Sequence, residues 1–249
     1  MNRAHMMALR LWRYRTNLRR ITAASLATAL YLAATPNLLA ADGSYVSSIP
    51  KTGTFTLAAN GNAPALCVST QDYPGVIRVA RLLQQDIRRV SDAEPSLVTD
   101  GIPAAREVVL IGTLGRSPLI DKLVQQRTLD VREIAGKWET FVVQTVEKPV
   151  AGVDRALVIA GSDKRGTLYG MFDVSAKIGV SPWNWWADVP PERHAELHVL
   201  PGRHVDGPPR VKYRGIFIND EAPALAGWAR EKFGGLNARF YDHVFELIL

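Results

Sequence analysis

The sequence predicts an α/β protein in two parts: an N-terminal mixed α/β domain, followed by the truncated start of a (β/α)8 barrel. Three observations carry this. Strand-like and helix-like runs alternate from about residue 54 to residue 179. Pro and Gly then crowd together in "PGRHVDGPPR", residues 201–210, which reads as a domain boundary. Beyond it, "YRGIFINDEAP", residues 213–223, is an apolar run that ends on two acids and an amide and is closed by a proline.

The elements follow in order. "TFTLA" and "ALCVS" read as short strands. From Pro74, Val76, Val79, Ala80, Leu83, Ile87 and Val90 recur at helical spacing, with Arg and Gln on the other face. "SLVTD" and "EVVLIG" are strands. Ser117 before Pro118 is a helix N-cap, and that helix runs to about Arg127. "ETFVVQTVE", residues 139–147, alternates like a half-exposed strand, and "ALVIAG" is apolar throughout. A helix opens on Asp163, shows Leu168, Met171, Phe172, Val174 and Ile178 on one face, and ends at Gly179. Residues 213–219 read as the barrel's first strand, 224–232 as a helix, 233–237 as a turn and 240–249 as the start of another helix. The domain expected is thus 43–202, with the incomplete barrel over 210–249. One strand and two helices cannot bury Val244, Phe245, Ile248 and Leu249, so the chain reads as a fragment of a longer protein.

Residues 1–41 have the anatomy of a signal peptide. Arg3, Arg10, Arg13, Arg15, Arg19 and Arg20 form a basic region with no acid, an apolar small-residue run follows, and "TPNLLAAD" offers a cut after Ala40 or Ala41. An uncleaved anchor is the alternative, but the apolar run is short for a membrane span and Pro36 interrupts its end. Arg19-Arg20 leaves Sec and twin-arginine export both open. The expected location is the bacterial periplasm or the medium, with no stable membrane anchor after cleavage. Without this segment 24 basic residues stand against 24 acidic ones, so the pI of 9.6 makes no case for nucleic acid. Cys67 is alone and reads as a buried structural thiol.

The chemistry concentrates in two places. A strand delivering Asn219 and Asp220 to its C-terminal end would present them at a barrel mouth. The competing reading is an Asx-type turn or cap, with Glu221 as an exposed turn residue. In "SPWNWWADVPPE", Trp183, Trp185 and Trp186 either staple the two domains together or lay an indole face under a sugar ring. His194, His198 and His204 lack a fourth ligand and read as surface residues of an edge strand, so no metal is expected. "GSDKRGTLYG" lacks phosphate-loop spacing, and Gly166 and Gly170 read as close-packing residues; no cofactor is expected.

"AGSDKRGTLYGMFDVSAKIGVSPWNWWADVP", then "KYRGIFINDEAPALAGWAREKFGGLN" and "FYDHVFELIL", resembles glycoside hydrolase family 115, the xylan α-1,2-glucuronidases. The resemblance is dense from about residue 160 onward. It implies an α/β domain ahead of a catalytic (β/α)8 barrel, and removal of glucuronic acid or its 4-O-methyl form from xylan or glucuronoxylo-oligosaccharides with inversion. It admits a homodimer of the full-length protein. It also implies that Asn219 and Asp220 contribute to the sugar pocket, Asp220 as one catalytic element or as a sugar hydrogen bond. The principal carboxylate would lie beyond residue 249. A uronate carboxylate needs a cationic partner; Arg214 stands too far before the strand end, which leaves Lys164 and Arg165. Two rival functions remain open: a non-catalytic carbohydrate-binding or interaction module, and a nucleotide- or phosphate-binding domain.

Overall fold

The computed structural model describes residues 44–249, of which Tyr45–Leu249 form one compact unit. The expected signal segment, 1–41, lies outside the described residues. Among those described, no helix is long and apolar enough to cross a membrane.

The core is a six-stranded sheet of β3 (Ala65–Val68), β4 (Leu97–Thr99), β5 (Ala105–Thr113), β6 (Phe141–Glu147), β7 (Val153–Gly161) and β9 (Arg203–Asp206), in spatial order β4-β3-β5-β7-β6-β9. Strands β4, β3, β5 and β7 are parallel, while β6 runs antiparallel to both β7 and β9. Strands covered on both faces read as unbroken apolar runs, as β5 and β7 do. Val109, Ile111, Leu157 and Ile159 face helices α1 (Pro74–Ser91) and α3 (Lys164–Lys177), meeting Val79, Leu83, Ile87, Met171 and Val174. Val108, Leu110, Ala156 and Val158 face the other way, onto Ile120 and Leu123 of α2 (Pro118–Gln125). A three-stranded antiparallel sheet, β1 (Val46–Ser47), β8 (Leu197–Val199) and β2 (Phe55–Ala58) in the order β1-β8-β2, adds Phe55, Leu57, Leu197 and Val199 to the first of these cores. Arg155 joins the two sheets, donating through Nη1 to the Thr54 carbonyl at 2.7 Å and through Nε to Glu147 at 2.6 Å.

Local signals act as the sequence implies. Asp163 caps α3, its Oδ1 accepting from the Gly166 amide at 2.8 Å, and Gly179 closes the helix end at φ +101°. Gly166 permits a close approach: a Cβ there would stand 2.3 Å from the Thr140 carbonyl oxygen. Ser117 sits at the N-cap of α2, but its buried hydroxyl makes no hydrogen bond to the helix.

Four expectations need correction. Residues 139–147 are not half-exposed, because β6 lies inside the sheet between β7 and β9, burying Phe141, Val142 and Val143 together. The sheet runs through the supposed boundary, since β9 ends at Asp206 rather than before Gly202. His198 is not a surface residue of an edge strand: β8 is the central strand of the small sheet, and the side chain is buried with Nε2 2.9 Å from Glu196. Residues 213–219 form no strand. An extended segment becomes a strand only when another pairs with it, and none does so here. Tyr213 and Phe217 stand 87% and 91% exposed. Two helices follow, α4 (Ala224–Phe233) and α5 (Ala238–Ile248), the second capped by Asn237 accepting from the Phe240 amide at 3.2 Å.

Candidate functional site

The segment carrying Asn219 and Asp220 is reached through a tight junction with the sheet. After β9, Gly207 at φ +95° lies so close to the residues leading into β6 that a Cβ would stand 2.7 Å from the Glu139 carbonyl oxygen. Glu139 is itself unusual. It holds φ +49°, rarely adopted by a side chain of its size, and its carboxylate is 8% exposed. Its amide donates to Asp163 Oδ2 at 2.9 Å, so the residue is fixed to the cap of α3. The carboxylate accepts from Arg214 Nη2 at 2.6 Å and pairs with Arg165 Nη1 at 3.1 Å. Both guanidinium groups stand over the Tyr169 ring, at 5.7 and 5.8 Å from its centre, and Arg214 also donates to the Tyr169 hydroxyl at 2.8 Å. Hydrogen bonding to Glu139 raises the Arg214 guanidinium above its ordinary pKa. The two arginines weighed as partners for a uronate carboxylate are therefore engaged with Glu139. Lys164 stands near Tyr73 instead, its Nζ 5.9 Å from the ring centre.

Further along, Asn219 Oδ1 accepts from the Glu221 amide at 3.2 Å, an Asx-type turn. Asn219, Asp220 and Glu221 are all exposed, and Asp220 makes no hydrogen bond or ion pair among the described residues. It does not cap α4, whose N-cap position is Pro223 with no side-chain bond.

The tryptophan loop, residues 182–187, divides its work. Trp186 stacks on Trp228 of α4, with ring centres 5.2 Å apart and planes 25° apart, and meets Phe240 of α5 edge-on at 6.1 Å. Ile218, Leu225 and Phe233 complete this satellite core. Trp185 lies 4.3 Å from the His243 ring, with Arg89 5.9 Å from its centre, so its ring is already engaged. Trp183 is 54% exposed and has no ring partner among the described residues.

Trp185 also lines a 310 Å³ cavity with Asp86, Arg89, Ser175, Asn184 and Glu246. Burial pushes the Asp86 carboxyl up to about 6, against the Ser175 and Arg89 contacts that favour its charged form; Glu246 adds to the rise. A larger cavity of 560 Å³ is lined by Glu139, Tyr169, Asp173, Asp206, Arg210 and Arg214. Asn219 and Asp220 line neither, so the structure does not bring Trp185 and Asp220 into one pocket. Cys67 is fully buried, and burial pushes its thiol up to about 11. Among the described residues no three His, Cys, Asp or Glu converge as a metal site.

Residues 206–249, which hold this whole segment, match the family model for Glycosyl hydrolase family 115. A solved structure described as a novel family GH115 4-O-methyl-alpha-glucuronidase with specificity for decorated arabinogalactans is 32% identical to the chain, at a TM-score of 0.63. The chain belongs to glycoside hydrolase family 115. The structural likeness covers 78% of this chain, far more than residues 206–249 alone, and 24% of that glucuronidase's chain. This family member thus spans about a quarter of the length of the solved relative. No curated protein matches the chain. Glu139 had no sequence signal: its partner is 75 positions away and its backbone conformation favours glycine.

Proposed function

We propose that these residues belong to an α-glucuronidase that removes α-1,2-linked glucuronic acid, or its 4-O-methyl form, from a decorated polysaccharide. The observation that carries this is the exposed Asn219-Asp220 pair, held in an Asx turn inside the segment that matches the family. Residues 210–249 open a (β/α)8 barrel in which 213–219 become the first strand once a neighbour supplies hydrogen bonds, and Asp220 then stands at the mouth. Glucuronoxylan is the substrate the family resemblance implies. The described specificity of the solved relative makes decorated arabinogalactan the second candidate.

Hydrolysis with inversion needs two carboxyl groups about 6.5–9.5 Å apart with a water between them. Asp220 supplies one element or a sugar hydrogen bond. It stands exposed and unpaired here, so the 249 residues alone are expected to release no uronic acid. Export to the periplasm or medium through cleavage of residues 1–41 brings the enzyme to a polymeric substrate.

The test is a graft: residues 45–249 replace the matching segment of the solved glucuronidase. Release of uronic acid from either polysaccharide supports the reading, and a folded graft without activity overturns it. The rival of a sugar-binding module built on the tryptophans fares less well, because Trp186 stacks on Trp228 and Trp185 packs at a tilt against His243.

A further inference from the structure

The exposed stretch 215–223 is strung between two anchors, and the α/β domain supplies both. On the C-terminal side, Trp228 of α4 stacks on Trp186 of the loop after α3. On the N-terminal side, Arg214 is fixed by Glu139 and Tyr169. Between the anchors the backbone makes no strand pairing, and Ile218 packs on the satellite core, so Arg214 fixes where the segment starts while Ile218 and Trp228 hold its far side. Six residues of extended chain reach at most about 20 Å, so fixing Arg214 confines Asp220 to a bounded volume.

We propose that Glu139 is a positioning residue for Asp220, acting through Arg214. This rests on the glucuronidase reading given above. The geometry favours a dedicated clamp over an incidental surface pair. Glu139 is buried and rigid, bonded through its amide to the α3 cap and packed through its carbonyl against Gly207. Its carboxylate also keeps two like charges together over one ring. Without it, the Arg165 and Arg214 guanidiniums would repel each other across Tyr169, and Arg165, whose Nε already lacks a partner, would lose the carboxylate that balances it. The Arg214 side chain would then swing to solvent and release the start of the segment.

Trypsin reads this directly on the 249-residue protein, because Arg214 is itself a cleavage site and exposed Lys51, outside the segment, serves as an internal control. Cleavage of a transiently open site tracks the population of the open form. In Glu139→Gln the initial rate of cleavage after Arg214, relative to that after Lys51, should rise about tenfold, the scale of one lost charged hydrogen bond. It should rise further in Glu139→Ala, which also loses the remaining acceptor. Tyr169→Phe removes only the hydroxyl and should give a smaller rise; it serves if the Glu139 variants fail to fold. An unchanged ratio in the folded variants overturns the proposal. In the active graft, Glu139→Gln should lower kcat by about 10–100-fold, as a displaced reacting group does, with KM nearly constant. A graft with Glu139→Gln and unaltered kcat also overturns it. A graft inactive even with Glu139 in place would sink the glucuronidase reading, while the trypsin ratio still decides whether the clamp exists.

Discussion

Asp86 offers a prediction whose size follows from its surroundings. Its carboxyl lies between α1, α3 and α5, facing Arg89, Ser175 and Glu246 at the 310 Å³ cavity. Burial raises it from 3.8 to about 6. A group raised in the folded state favours folding fully below its unfolded pKa, and that contribution is lost as pH rises through the folded pKa. Asp86 is therefore a liability at neutral pH. At 1.36 kcal/mol per unit, a rise of roughly 2 units sets an upper bound of about 3 kcal/mol. Asp86→Asn removes this penalty, which is already net of the 2.6 Å pair with Arg89 and the Ser175 contact, and its amide keeps a neutral hydrogen-bond acceptor for Arg89. The variant should be more stable than the parent by about 1–2 kcal/mol at pH 7.5, a Tm gain of about 2–8 °C for a domain of this size. At pH 4 the two should melt nearly together, since a protonated carboxyl and an amide are close in shape and charge. Thermal melts at half-unit steps from pH 4 to 8 read the difference. A gap that does not change with pH, or a less stable variant at pH 7.5, would refute the assignment of the penalty to burial.

Three further outcomes are expected. Gly166→Ala places a methyl 2.3 Å from the Thr140 carbonyl oxygen and should destabilise the α/β domain by about 1–3 kcal/mol in urea unfolding. Trp186→Ala removes the stack on Trp228 and the edge contact with Phe240, so α4 and α5 should be digested by protease well before the six-stranded sheet, with a loss of about 1–3 kcal/mol for a partly exposed indole. N-terminal sequencing of protein recovered from the envelope or medium should begin at Ala41 or Asp42; intact Met1 in a membrane fraction would favour an anchor.

The readable parts of the fold are those whose causes are local. β5 and β7 announce themselves because buried parallel strands have no polar face, and α1 because its apolar residues keep helical spacing. Asp163 is a legible cap since its partner, the Gly166 amide, is three residues away. What fails depends on distant partners. His198 is buried because β1 and β2, about 140–150 positions earlier, flank β8. Residues 213–219 have a strand's composition and no strand beside them, so composition alone mispredicts them. Of the candidate site, Asn219, Asp220 and the tryptophan loop stand out as polar and aromatic residues in unusual company. The Glu139–Arg214 clamp does not, because it joins two ordinary charges across 75 positions. The reading of the tryptophans as a staple is what the ring contacts of Trp185 and Trp186 favour.

The claim that matters most is that Asp220 serves a sugar pocket. The measurement is the rate of uronic acid release from glucuronoxylan and decorated arabinogalactan by the graft of residues 45–249, with and without Asp220→Ala, alongside the Tm of each. Asp220 is exposed and unpaired in the fold, so its loss should leave Tm nearly unchanged. Turnover should fall at least about a hundredfold, the scale of a lost acid–base group. An active graft whose turnover survives Asp220→Ala, or one that loses activity only in step with its Tm, would contradict the account.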